Sequence, residues 1–266
     1  MSSDAFKGPI ARLGCGIHQN LPSFRTLTHS ALHQSIARSL GYGDPRVTQS
    51  QVIAKLAGVG GRIGAHQDGG GSFTDPPTAV TFWYALEDAT LANGCLQVAA
   101  GSHLTEPLTQ RMVKGENGDP TFVDLPQPAW AASAAAVGAG VAEPKANQHQ
   151  QSELQVTKTA ATDTGHEHEY EYTPLEVKQG TLIIFHGNLL HKSGENTSAK
   201  DRLAYNFTVI DGDSSIPEDT YLKPEGEGSS GEFVSLCRPE LDLDLDLGLG
   251  LYLGLGRGRR LLSSKL

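Results

Sequence analysis

Apolar residues recur along this chain in two rhythms. Over residues 23–40, Leu32, Ile36 and Leu40 repeat four positions apart, which predicts a helix with Ser23 as its N-cap and Gly41 as its stop. From Val47 onward the texture is that of short strands, predicted at residues 47–54, 62–68, 79–87, 94–99 and 170–177. Behind the Gly180 turn, Leu182 to Phe185 is a continuous apolar run, which reads as a buried strand. Arg202 to Asp211 alternates in part, setting Leu203, Tyr205, Phe207 and Val209 on one face. Many short strands joined by turn signals, without regular helices between them, predict a mainly β fold. The expected architecture is a double-stranded β-helix, a cupin-like jelly roll, with flanking helices.

The same pattern predicts the domain organisation. Residues 1–225 read as one domain, interrupted at about 126–165 by a low-complexity insertion rich in Ala, Gln, Thr and Gly that is expected to lack fixed structure. Residues 226–266 read as a low-complexity tail, in which Asp and then Gly alternate with Leu from Leu241 onward. At 266 residues the chain is long enough for one well-buried domain with appendages.

Composition narrows the function classes. A formal charge of −9 argues against a nucleic-acid partner, which favours a basic surface. No run of eighteen apolar residues is long enough for a membrane helix, and the first twenty residues lack the apolar segment of a secretory signal. Cys15, Cys95 and Cys237 are scattered with no CxxC pair, so neither a zinc nor a disulfide framework is expected, and a reducing compartment is the default.

Two distant motifs carry the candidate chemistry. The first is His66-Gln67-Asp68; the second is His191-Lys192-Ser193, followed eleven residues after the histidine by Arg202. Two imidazoles and one carboxylate form the facial triad of non-haem Fe(II) oxygenases, leaving three coordination positions open. On a strand, His66 and Asp68 share a face while Gln67 points away. A lone His-x-Asp is more often a polar strand end, and a lone Arg at a strand start is often a surface residue. In company they fit together, because a guanidinium fork matches a carboxylate in two places. The other histidines fit less well. Gly165-His166-Glu167-His168 has ligand spacing but sits in polar low-complexity sequence and reads as a solvated loop. His103 reads as a loop residue, and His186 as a core histidine or a neighbour of the metal site.

Seven stretches extend this reading: Phe24-Arg-Thr-Leu-Thr-His-Ser, Ile36-Ala-Arg-Ser-Leu-Gly, His66-Gln-Asp, Trp83-Tyr-Ala-Leu-Glu-Asp-Ala-Thr-Leu-Ala-Asn-Gly-Cys-Leu, Gly101-Ser-His, His191-Lys-Ser and Arg202-Leu-Ala-Tyr-Asn-Phe. In this order, over residues 12–224, the chain resembles the phytanoyl-CoA dioxygenase family of Fe(II)/2-oxoglutarate oxygenases, most of all its branch of domain-containing proteins. The resemblance implies that His66, Asp68 and His191 hold the iron and that Arg202 and Ser193 hold the far carboxylate of 2-oxoglutarate. It places Trp83 in the co-substrate pocket and Gln67 in the co-substrate set. Gln51 and Arg12 stand where the branch has a methionine and a lysine near the co-substrate, and Ala100 replaces a proline. The implied reaction uses O2, with ascorbate as a supporting reductant, and converts 2-oxoglutarate to succinate and CO2 while a small organic substrate is hydroxylated. Asp68 favours hydroxylation, because related halogenating enzymes lack that carboxylate. An acyl-CoA is the candidate substrate, although no basic cluster for its phosphates lies near the motifs.

Two alternatives stay open: a metal-binding cupin-type protein that ignores 2-oxoglutarate, and an inactive truncated homologue. The second arises because family members carry an N-terminal helical region inside which this chain is expected to start. Ser264-Lys265-Leu266 is a peroxisomal import address when it ends a chain, and Arg257, Arg259 and Arg260 precede it. A peroxisomal location, through the import receptor, is therefore expected over a cytoplasmic one.

Overall fold

The computed structural model describes residues 6–7, 11–126, 170–222 and 233–237. The expected insertion at 126–165, His166, His168, the Leu241 repeat and Ser264-Lys265-Leu266 lie outside them, save for Pro126. Two antiparallel sheets carry the fold. One runs β1 (Phe6–Lys7), β4 (Arg62–His66), β11 (His191–Ser193), β6 (Leu96–Val98), β9 (Thr173–Leu175). The other runs β10 (Leu182–His186), β5 (Val80–Ala85), β12 (Arg202–Asp211), β3 (Pro45–Lys55), β13 (Val234–Ser235), with β2 (Ala11–Leu13) also on β3. This is the expected double-stranded β-helix.

Strand alternation sorts residues onto the two faces of the second sheet. Val80 and Phe82 on β5, with Tyr205, Phe207 and Val209 on β12, pack outward with Ile17 and Ala37 of the flanking helices. Trp83, Ala85 and Ala204, one residue out of phase, pack inward with Phe185 of β10 and with Leu96 of the opposite sheet. Both faces of β5 and β12 are thus covered. Leu203 lies at the margin of the outer cluster and is half-buried.

The helical region departs from expectation. The single helix predicted at 23–40 is two, α2 (Pro22–Thr28) and α3 (Ala31–Ser39), preceded by the short α1 (Ile17–Asn20). Pro22 takes the first helical turn, so Leu21 and not Ser23 is the N-cap. Leu32 and Leu40 are 57% and 49% exposed, whereas His33, Gln34 and Ala37 are buried. The polar pair is buried because partners wait for it. His33 bonds the Thr28 carbonyl at 3.0 Å and the Tyr84 hydroxyl at 2.6 Å, and Gln34 donates to the His29 carbonyl at 2.9 Å.

Strand ends differ as well. β3 extends past its predicted bounds at both ends, while β5, β6 and β9 are shorter than predicted. β4 stops at His66, and Asp68 opens a 3-10 turn, Asp68–Gly70. The hairpin of β7 (Gln110–Lys114) and β8 (Pro120–Asp124) and the short α4 (Ser102–Thr105) carry no clear periodic signal. Residues 233–237, read from sequence as tail, join the sheet: Val234 pairs with Val47, and Phe233 and Leu236 are buried. Among the described residues no helix is long and apolar enough to cross a membrane.

Candidate metal and co-substrate site

Register brings the two motifs together. His66 and His191 are direct partners across β4 and β11, with ring centroids 4.2 Å apart. Gln67 keeps an extended backbone at φ −121° and ψ 126°, so Asp68 returns to the face of His66 although the strand has ended. One ligand atom from each of His66, Asp68 and His191 lies within 4.8 Å of the others. The Asp68 Oδ1 is 3.5 Å from His66 Nε2 and 3.7 Å from His191 Nε2.

The backs of these ligands are held. His66 Nδ1 lies 2.9 Å from the Gly64 carbonyl and His191 Nδ1 lies 2.9 Å from the Leu189 carbonyl. Each bond puts the proton on Nδ1 and leaves the Nε2 lone pair for a cation. Thr81, on the inner face of β5, donates its hydroxyl to Asp68 Oδ2 at 2.8 Å, which leaves Oδ1 for the same cation. Burial pushes the Asp68 carboxyl up, but the neighbouring His191 and His66 and the Thr81 hydroxyl hold it well below the usual carboxylate range. Burial, then the neighbouring His66, lowers His191 to about 4 against the pull of Asp68. At neutral pH the set is an anionic carboxylate facing a neutral imidazole of His191, the protonation a metal needs.

Arg202 lies on the inner face of β12, 2% exposed. Its Nη2 donates to the Gly94 carbonyl at 2.5 Å, and its buried Nε has no partner. The guanidinium stands 5.8 Å from the Trp83 ring centroid, within cation–π range. Burial lowers Arg202 to about 10, still charged at neutral pH. Ser193, two residues beyond His191, is buried on β11 of the opposite sheet. Gln51 is half-buried opposite Asn206, and Asn206 is also opposite Trp83, so the three share the inner face. Arg12 pairs with Ile53 on that same face and is exposed. Gln67 turns elsewhere: its amide donates to the Glu106 carbonyl at 3.2 Å and the Asn188 carbonyl at 2.7 Å, joining two loops beside the site. His186 and His103 pair with each other, ring centroids 5.8 Å apart, and neither belongs to the ligand cluster.

Two residues escaped sequence reasoning. Thr81 carries no motif and is found only through the approach of β5 to the turn at Asp68. Lys55 is fully buried opposite Arg202. Its signal was present, since it shares strand parity with Gln51 and Ile53, where an inward lysine is anomalous.

The donor set and the unsatisfied buried guanidinium fit a divalent metal with a carboxylate-bearing co-substrate. Comparison with known proteins agrees. The family profile described as "Phytanoyl-CoA dioxygenase (PhyH)" matches residues 2–204. The chain is 33% identical to "Phytanoyl-CoA dioxygenase" of Arabidopsis thaliana over 81% of its own length and 66% of that protein's. It is 31% identical to "Phytanoyl-CoA dioxygenase domain-containing protein 1" of Mus musculus, over 82% and 63%. The chain thus spans under two thirds of these relatives. Among solved structures, the epimerase SnoN, crystallised with Fe3+, alpha ketoglutarate and nogalamycin RO, has the same fold. Its TM-score is 0.54 at 16% identity, over 86% of this chain and 76% of that one. With a family match across three quarters of its length, the chain belongs to the phytanoyl-CoA dioxygenase family.

Proposed function

We propose that this chain is an Fe(II)- and 2-oxoglutarate-dependent dioxygenase that hydroxylates a small organic substrate. The observation that carries the reading is a His66–Asp68–His191 cluster sharing one barrel interior with a buried Arg202 that has an unsatisfied Nε. Bound iron supplies the oxidising chemistry with O2, and 2-oxoglutarate leaves as succinate and CO2. The protein supplies the rest. His66, Asp68 and His191 hold the metal on one side and keep the other open. Thr81 and the two carbonyls behind the imidazoles fix the orientation of the ligands. Arg202 and Ser193 take the far carboxylate, and Trp83 walls the pocket and limits water. Gln51 and Arg12, on the same inner face, sit toward the co-substrate.

The prime substrate we infer is an acyl-CoA. The relatives' names support this class, and the residues around the metal do not specify it further. Where Ser264-Lys265-Leu266 is the free carboxyl end of the chain, we infer delivery to the peroxisome by the import receptor. A fluorescent fusion at the N-terminus that loses peroxisomal puncta on deletion of those three residues supports it; unchanged puncta, or none in the parent, contradict it.

Succinate formation from 2-oxoglutarate, with Fe(II) and ascorbate under air, tests the reaction class. Turnover should occur without added substrate, vanish in Asp68→Ala, fall in Arg202→Ala and rise with an accepted acyl-CoA. A folded, iron-loaded protein that makes no succinate would point instead to a metal-binding cupin that ignores 2-oxoglutarate, and an Arg202→Ala variant as active as the parent would remove Arg202 from the co-substrate site.

A further inference from the structure

Lys55 and Arg202 stand directly opposite each other across β3 and β12. Directly opposed like charges destabilise a sheet. Here both are buried, at 0% and 2% exposure, where charge repulsion is least screened. Among the described residues no carboxylate forms an ion pair with either of them. Two facing cations in a barrel interior, with no carboxylate in ion-pair contact among the described residues, are a poor way to stabilise a fold and a good way to attract an anion.

The surrounding contacts say how Lys55 acts. Its Nζ donates to the carbonyls of Gly61 at 2.8 Å, Ser193 at 3.4 Å and Gly194. All three of its N–H groups are thereby used, so Lys55 does not itself reach a ligand. It holds the end of β11 instead, the segment that carries His191 and Ser193. Gly94 makes the approach possible. At φ +79°, a Cβ there would lie 2.6 Å from the Gly194 oxygen and 3.3 Å from Lys55 Nζ, while the Gly94 carbonyl is the partner of Arg202. One glycine thus separates the two cations and links both to the pocket.

We propose that Lys55 is a positioning residue for the 2-oxo acid: it supplies the second positive charge of the far-carboxylate pocket and fixes Ser193 through the backbone of β11. The inference rests on the oxygenase reading above. It gives that site a preference for doubly charged 2-oxo acids over singly charged ones of equal length. It also couples co-substrate binding to protons. Lys55 is faced by Arg202 of β12, by Glu195 beyond β11 and by Cys95 before β6, while Glu87 and Cys95 face Arg202. Burial, then Arg202, pushes the ammonium down to about 7, against the pull of Glu195 and Cys95. A carboxylate entering beside Arg202 favours the charged form, so binding takes up a proton. Affinity therefore falls as pH rises above about 7, by up to about tenfold per unit until the bound-state value is reached.

Isothermal calorimetry on the full chain loaded with Mn(II), a redox-silent stand-in for Fe(II), tests this. It is titrated with 2-oxoglutarate and with 2-oxopentanoate, at about pH 8, in two buffers of different ionisation enthalpy. The parent should prefer 2-oxoglutarate and take up a fraction of a proton only with it. Lys55→Met should shrink that preference by roughly tenfold, abolish the uptake and leave Mn(II) affinity unchanged. Equal weakening of both acids, or no weakening, would overturn the inference and leave Lys55 a brace. Absence of proton uptake in the parent overturns it even if Lys55→Met does not fold. A parent that binds Mn(II) but neither acid overturns the oxygenase reading, and the inference with it.

Discussion

At the scale of single residues, the site is built from ligands whose far side is fixed before any metal arrives. His66 and His191 are tied through Nδ1 to carbonyls two residues back, and Asp68 through Oδ2 to Thr81. The Thr81 bond is a clean target. Thr81→Val keeps the β-branched shape of a strand residue and removes the hydroxyl that donates to Asp68 and lies 3.4 Å from Thr208 Oγ1. It should lower Mn(II) affinity by about 10- to 100-fold with little loss of secondary structure, as measured by calorimetry and circular dichroism. Unchanged affinity would show that the carboxylate needs no such tether. Which residues were legible follows from the same chemistry. His66, Asp68, His191 and Arg202 stand out because imidazole, carboxylate and guanidinium at fixed spacing are rare in strands. Thr81 does not, and Lys55 shows only as an inward lysine without a role, because both roles depend on which strand lies opposite, and register across 138 positions, as between Lys55 and Ser193, is not local information.

At the scale of elements, alternation along β5 and β12 was readable and the helical faces were not. The apolar repeat of Leu32, Ile36 and Leu40 suggests a buried stripe, yet α3 buries His33, Gln34 and Ala37, and of the three only Ile36 packs against the core. Periodicity reports apolar residues; it cannot report that Tyr84 and the carbonyls of Thr28 and His29 wait beneath the helix. Two substitutions separate the faces. Leu32→Ser should change stability by less than about 0.5 kcal/mol, whereas Phe82→Ala, at the centre of the outer cluster, should cost about 3–5 kcal/mol in urea unfolding. A larger loss at Leu32 would restore the leucine face to the core. Gly94→Ala tests the packing of β11 against the turn before β6. With a Cβ 2.6 Å from the Gly194 oxygen and φ at +79°, it should destabilise by about 1–3 kcal/mol and weaken 2-oxoglutarate binding more than metal binding. Equal loss of both would mean that the strain spreads to the ligands.

At the scale of the whole molecule, the many short strands and missing regular helices were enough for the jelly roll, since few architectures bury such a pattern. The sheet contribution of residues 233–237 was not legible, because a two-residue strand has no period. Burial of histidines sets how the metal-free protein responds to acid. His33 and His191 are both lowered by burial from an ordinary value of 6.5, the latter to about 4. The unfolded chain then binds more protons than the folded one, so stability is lost as pH falls from about 6.5 toward 4. Asp68, held below its ordinary 3.8, adds stability above that value and loses it on further acidification. The melting temperature of the metal-free chain should therefore hold near neutrality and fall below about pH 6.5, and Mn(II) should raise it at neutral pH. A melting temperature flat from neutrality to about pH 4 would contradict the assignment of these histidines as buried and neutral. The central claim is that one barrel interior holds both the metal and a 2-oxo acid, and anaerobic absorption spectroscopy tests it most directly. Fe(II) and 2-oxoglutarate together should give the visible charge-transfer band of a metal-chelated 2-oxo acid in the parent. The band should be lost in His191→Ala and need at least about tenfold more 2-oxoglutarate in Arg202→Met. A folded parent that binds Fe(II) yet shows no band at saturating 2-oxoglutarate would contradict the account.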